Sequence, residues 1–294
     1  ANQCPGGVCG GEVSETVACL GFGAPDWGLL NNNAPQFSGS QESISEITNP
    51  TGVYSLLPMR GIIGWNSHAF NLTSEDMNME AWLNLDFTDD QQFPAQGLFN
   101  STWIFTQNVP PYQTREYCAT HTFAEGTRLF QISSHMHKRG KRWRWYLPPQ
   151  VPCAGPASCT PGDEGDKFYE STDYSDPLEI RYDPTWDFTG TVNDRTLKFC
   201  ALYDNGFNDP SEVKLASTSP CPPNGCGFIP GGPCGPGGDP TNTNVYCVGG
   251  PNQAQQCAAD TDCPLSTCDA CALKGGVTPE DEMFIGLGNF YIDP

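Results

Sequence analysis

Glycine and proline occupy 32 and 27 of the 294 positions in this chain. No interval between them repeats apolar residues at the three- and four-residue spacing that a long helix needs. Both residues favour turns, glycine because it reaches positive φ and proline because it fixes φ. The sequence therefore predicts an all-β protein of short strands and many turns, long enough for one large domain or two smaller ones. Strand-like runs cover residues 53–57, 61–68 and 79–87, read as an antiparallel meander, then 128–133, 142–146, 178–182 and 196–203. Gly140 separates two of these runs and is expected to mark a hairpin turn or bulge.

Fifteen cysteines are too many for a reducing compartment, and their spacing is too irregular for a zinc-finger or haem-attachment array. Cys268-Asp269-Ala270-Cys271 lacks the strand-to-helix setting of a thioredoxin site. Disulfides in an exported protein are the better reading, and the absence of an apolar leader or membrane span fits a mature product starting at Ala1. An odd count leaves at least one thiol unpaired or joined to another chain. Cysteines 221, 226, 234, 247, 257, 263, 268 and 271 lie within residues 217–276, among prolines and glycines. So apolar-poor a segment cannot build its own core and is read as a disulfide-rich loop insertion, with enough cysteines for four internal bridges. Residues 1–51, polar and holding Cys4, Cys9 and Cys19, read as a disulfide-tacked extension.

Fourteen basic against thirty-four acidic residues give a net charge of −20, which argues against a nucleic-acid groove or an anionic membrane surface as partner. The basic run of residues 138–144 interleaves Trp143, with Trp145 just beyond it, in the manner of a single-strand binder. A strand edge paired with acidic loops of the same chain is the preferred reading. The acidic stretch 163–176 lacks the ligand spacing of an EF-hand and reads as a solvated loop. Asn71-Leu72-Thr73 and Asn100-Ser101-Thr102 are glycosylation sequons.

Chemistry concentrates in Ser133-Ser134-His135-Met136-His137-Lys138-Arg139-Gly140, which holds two of the four histidines one residue apart. Alternate residues of a strand share a face, so His135 and His137 can direct two imidazoles at one point. Imidazole suits copper and zinc, and a thioether adds a preference for copper. Met283, in Asp281-Glu282-Met283-Phe284, is the candidate sulfur ligand, although alone it also reads as an ordinary strand residue. His68 reads as a hydrogen-bonded strand residue, and His121 receives no metal role although it could approach the same face as the pair.

With these residues in view, the chain resembles the type 2 copper, ascorbate-dependent monooxygenases, the family of peptidylglycine α-hydroxylating and dopamine β-monooxygenases, and especially their bacterial relatives. The matching segments are His135-Met136-His137, Glu282-Met283 within the family's E-M-C motif, Cys118, residues 196–205 and Trp65-Asn66-Ser67-His68. The resemblance implies jelly-roll-type β-sandwiches. Residues 52–110 would form a partial first sandwich and residues 111–294 a complete second one, interrupted by the insertion at 217–276. It also implies one copper ion on His135, His137 and Met283, with His68 a remnant of a second, electron-delivering site. That site's His-His dipeptide is missing, and Phe284 replaces the family cysteine. The family's disulfide partner is matched by Cys200, which becomes the candidate unpaired thiol.

Three functions follow as expectations. A secreted protein could hydroxylate a C–H bond of a small-molecule or peptide substrate at a single copper, with dioxygen and an external reductant such as ascorbate. An extracellular protein could instead keep the sandwich without catalysis and self-assemble, aided by an intermolecular disulfide. The third is copper sequestration or delivery.

Overall fold

The computed structural model describes residues 46–57, 75, 82–100, 102–162, 165–217, 245–276 and 280–293. The chain divides into two units, residues 1–36 with 57–89, and residues 37–56 with 90–294. Only residues 57, 75 and 82–89 of the first unit are described. His68, Asn71 and the cysteines at 4, 9, 19, 221, 226 and 234 lie outside the described residues.

Fifteen strands are described: β1 Val53–Tyr54, β2 Phe93–Pro94, β3 Gln96–Asn100, β4 Asn108–Val109, β5 Thr114–Thr122, β6 Thr127–His135, β7 Gly140–Tyr146, β8 Lys167–Ser171, β9 Ile180–Phe188, β10 Thr196–Asp204, β11 Val245–Cys247, β12 Gln256–Cys257, β13 Cys268–Cys271, β14 Leu273–Lys274 and β15 Ile285–Ile292. Two four-stranded sheets, ordered β5-β10-β7-β8 and β3-β15-β6-β9, form an all-β sandwich. All of their pairings are antiparallel. Alternation along each strand explains the packing. On β7, Trp143 and Trp145 enter the core while Arg142 and Arg144 leave on the opposite face, where both pair with Glu116 of β5. Trp143 stacks on Phe199 at 5.4 Å between centroids, and Phe284 packs 5.0 Å from each of them. Burying one such ring stabilises the fold by about 2–3 kcal/mol. Gly286 makes room for this core, since a Cβ there would stand 2.6 Å from the Trp145 indole.

Three expectations are corrected. At Gly140 the β7–β10 ladder shifts register between Gly140 and Arg142, as at a bulge, but β6 and β7 do not form a hairpin there. They belong to different sheets, and residues 136–139 arch from one sheet to the other. The arch closes through Gly140 N–H donating to the His137 carbonyl at 2.9 Å, and glycine is required because a Cβ would lie 2.6 Å from Met136. Residues 82–87 of the expected 79–87 strand form no ladder, and Trp82 and Phe87 are 82% and 84% exposed. Their alternation is real, but no neighbouring strand among the described residues takes it up. Cys200 is not a free thiol. It lies directly opposite Cys118 in the β10–β5 ladder and is bonded to it, because opposed residues bring their Cβ atoms within bonding reach.

The disulfide-rich region is held as its composition requires. β11, β12 and β13 make a small sheet cross-braced by Cys247–Cys263 and Cys257–Cys268, and Cys271 is also disulfide-bonded. A further bridge, Cys153–Cys159, packs with Tyr146 over the Cys118–Cys200 pair. Multiple disulfides are typical of extracellular proteins, and no helix among the described residues is long and apolar enough to cross a membrane. At the second sequon, Asn100 directs its amide into the sandwich, where Nδ2 lies 3.2 Å from His121 Nδ1.

Candidate metal centre

β6 ends at His135, so His137 belongs to the arch rather than to a strand. The side-chain alternation nevertheless persists. Met136 turns into the core at 2% exposure, which sends its two neighbours outward. The His135 and His137 rings stand edge to face, 5.2 Å between centroids at an interplanar angle of 88°.

The second half of the candidate site is tied directly to this arch. The buried Glu282 carboxylate accepts the backbone N–H of His137 at 2.8 Å with one oxygen and that of Arg139 at 2.7 Å with the other. The Asp281 carbonyl lies 3.0 Å from His137 Nδ1. A carbonyl can only accept, so Nδ1 carries the proton and the neutral ring keeps its lone pair on Nε2, the tautomer a metal ligand needs. Burial pushes the Glu282 carboxyl up to about 8, against the backbone N–H groups of His137, Arg139 and Met283 and the Arg139 charge, which lower it.

Met283 follows immediately. Its backbone carbonyl accepts from the Tyr203 hydroxyl at 2.6 Å, and its side chain packs with Ile285, Phe99, Ile104, Phe105 and Leu287. Ile285 stands opposite His135 in the β15–β6 ladder, and opposed residues point to the same face. The Met283 cluster therefore lies on the face of the sheet that carries His135, outside the sandwich core. His121 lies on the other side of that sheet, facing the interior against Phe123 with 4.6 Å between ring centroids. It is separated from the pair by the sheet itself, and burial lowers its pKa to about 4.

The basic run is neutralised internally. Lys138 and Arg139 pair with Glu280, and Lys141 pairs with Glu212 at 2.6 Å. The acidic partners come from β5 and from the segments around Glu212 and Glu280. β7 itself is an interior strand of its sheet, not an edge. Trp143 and Trp145 are fully buried, so their rings offer no stacking surface.

Sequence reasoning missed three contributors. Glu282, matched in sequence only as part of the family's E-M-C motif, clamps the arch. Lys214, fully buried, pairs with the Asp281 carboxylate at 2.5 Å, and Tyr203 holds the Met283 backbone. The Glu-Met spacing could have pointed to the first, but nothing in Val213-Lys214-Leu215 marks a buried cation. A second group of metal-ligating atoms lies far along the chain. The sulfurs of Cys247, Cys257 and Cys263 are within 4.8 Å of one another, but as disulfides they present no thiolate. Comparison with protein-family models and with curated protein sequences returns no match.

Proposed function

We propose that this chain is a secreted copper protein of the type 2 monooxygenase kind, in which His135, His137 and Met283 hold one copper ion. The observation that carries the reading is the binding of segment 281–283 to the histidine arch. The Asp281 carbonyl and the Glu282 carboxylate together take three donors from His137 and Arg139. Two imidazoles and a thioether form a donor set suited to reduced copper. Bound copper would supply one-electron redox chemistry and a place for dioxygen to react. The protein's own groups do the positioning. Asp281 fixes the His137 tautomer, Glu282 holds the arch in register with Met283, and the apolar cluster of Phe99, Ile104 and Phe105 shields the sulfur from water. Inserting one oxygen atom into a C–H bond consumes two electrons, and a single copper stores one. An external reductant of the ascorbate class is therefore part of the reading.

Competition for Cu(I) against a chromogenic chelator tests it. The expected result is one equivalent bound, at least tenfold weaker binding in Met283→Leu, and none in the His135→Ala/His137→Ala double variant. Binding unchanged in both variants would refute the site. Ascorbate-dependent oxygen consumption by the loaded protein then separates turnover from copper sequestration or delivery, which share the ligands but consume no oxygen.

A further inference from the structure

The small sheet of the cysteine-rich region contains four sulfurs in two neighbouring disulfides, Cys247–Cys263 and Cys257–Cys268. Three of the four, on Cys247, Cys257 and Cys263, lie within 4.8 Å of one another, and the fourth is bonded to Cys257. A tetrahedral zinc thiolate centre has Zn–S bonds of about 2.3 Å, which places its sulfurs about 3.8 Å apart. Opening both S–S bonds would let the three clustered sulfurs move to that spacing, with the Cys268 sulfur, bonded to Cys257 and outside the 4.8 Å group, making the larger movement.

The backbone that presents these sulfurs is not held by the disulfides alone. Cys247 stands opposite Cys268 in the β11–β13 ladder, and Cys257 stands opposite Val245 in the β11–β12 ladder. The turn bearing Cys263 is tied to β13 by the Asp260 carboxylate, which accepts the Cys268 N–H at 2.7 Å. β13 is in turn anchored to the sandwich. Ala216 N–H donates to the Asp269 carbonyl and Cys271 N–H to the Lys214 carbonyl, each at 2.8 Å. Asn205 Nδ2 donates to the Cys271 carbonyl at 2.9 Å. All four cysteines thus lie on a hydrogen-bonded ladder, or in the turn tied to one, in addition to their disulfides.

From this geometry we propose that Cys247, Cys257, Cys263 and Cys268 form a redox-gated zinc(II) site, closed while the sulfurs are paired and opened by a dithiol reductant. Each disulfide takes two electrons and two protons from one dithiol, which leaves as a cyclic disulfide. Zinc(II) then displaces the four thiol protons and takes four thiolates. The site is separate from the histidine centre and does not depend on it.

The test uses the full chain, reduced anaerobically with dithiothreitol, desalted, and incubated with or without zinc(II) before alkylation and peptide mapping. Zinc is expected to slow alkylation of cysteines 247, 257, 263 and 268 together by at least tenfold, leaving other reduced cysteines unprotected. Cobalt(II) should give one equivalent of a tetrahedral thiolate spectrum, retained in the His135→Ala/His137→Ala variant and lost in Cys257→Ser. Two results overturn the proposal: protection that is absent or falls on a different set of cysteines, or a cobalt spectrum that persists in Cys257→Ser. A misfolded Cys257→Ser chain does not blur the outcome, because the alkylation map is read on the unsubstituted protein.

Discussion

Replacing His121 with glutamine should remove one component of the protein's acid sensitivity, and the structure fixes its sign and size. Burial holds this imidazole at about 4, against an ordinary value of 6.5. Above 6.5 the ring is neutral in both folded and unfolded chains and costs nothing. Between 6.5 and about 4 the unfolded chain takes up the proton while the folded chain does not, so stability falls as the pH falls. A gap of about 2.5 pH units at 1.36 kcal/mol each amounts to roughly 3 kcal/mol lost by pH 4. Glu282 acts in the opposite direction. Its carboxyl, raised by burial from 4.5 to about 8, keeps its proton in the folded state, so its contribution grows as the pH falls through the same range. The profile of the unsubstituted protein alone is therefore nearly uninformative, and the difference between it and His121→Gln is the quantity to measure. Urea unfolding of chelator-treated protein, followed by the fluorescence of buried Trp143 and Trp145, gives that difference at pH 7.5 and 4.0. The gap in unfolding free energy between the two proteins should shift by about 3 kcal/mol in favour of the variant at the lower pH. A constant gap would show that His121 does not titrate as a buried neutral ring.

Other outcomes follow from single contacts. Gly286→Ala, which drives a methyl group to 2.6 Å from Trp145, should cost about 1–3 kcal/mol in the same assay and change near-ultraviolet circular dichroism. Removing both cysteines of the Cys118–Cys200 bridge, which closes a separation of 82 residues, should cost about 4.5 kcal/mol by the loop-entropy relation, seen as a lower Tm. Glu282→Ala leaves the His137 and Arg139 amides without their acceptor and should cost about 2–4 kcal/mol, whereas Glu282→Gln retains one acceptor and should lose less. Folded protein expressed in a glycosylating host should carry no glycan at Asn100, by intact mass, because that amide faces the sandwich interior.

The all-β class was legible because turn formers and two-residue alternation act locally, and β6, β7, β9 and β10 fall on or across the expected runs, whereas β5 lies outside them and β8, with Tyr169 and Ser171 buried, corrects the reading of 163–176 as a solvated loop. The pairing of strands was not. Whether β6 and β7 form a hairpin or an arch depends on which sheet each joins, and that follows from non-local packing of Trp143, Trp145 and Phe284 around Gly286. The histidine pair was legible from its one-residue spacing, although the strand expected to align it ends at His135 and the core anchor Met136 maintains the alternation instead. The Cys118–Cys200 bond was hidden because register across 82 residues leaves no trace in sequence spacing. Lys214 was hidden for the opposite reason. A lysine is expected in solvent, and only the folded chain brings the Asp281 carboxylate to it.

The arch at residues 136–139 is one of the crossings at which the chain passes from one sheet to the other, and both candidate imidazoles stand at that seam. An ion held between the arch and Met283 would act as a rivet at the rim of the sandwich, joining the strand that leaves one sheet to the strand that returns along it. Loading the centre should then resist parting of β6 from β15 at that end of their sheet, so local stiffness there becomes a readout of what occupies its edge.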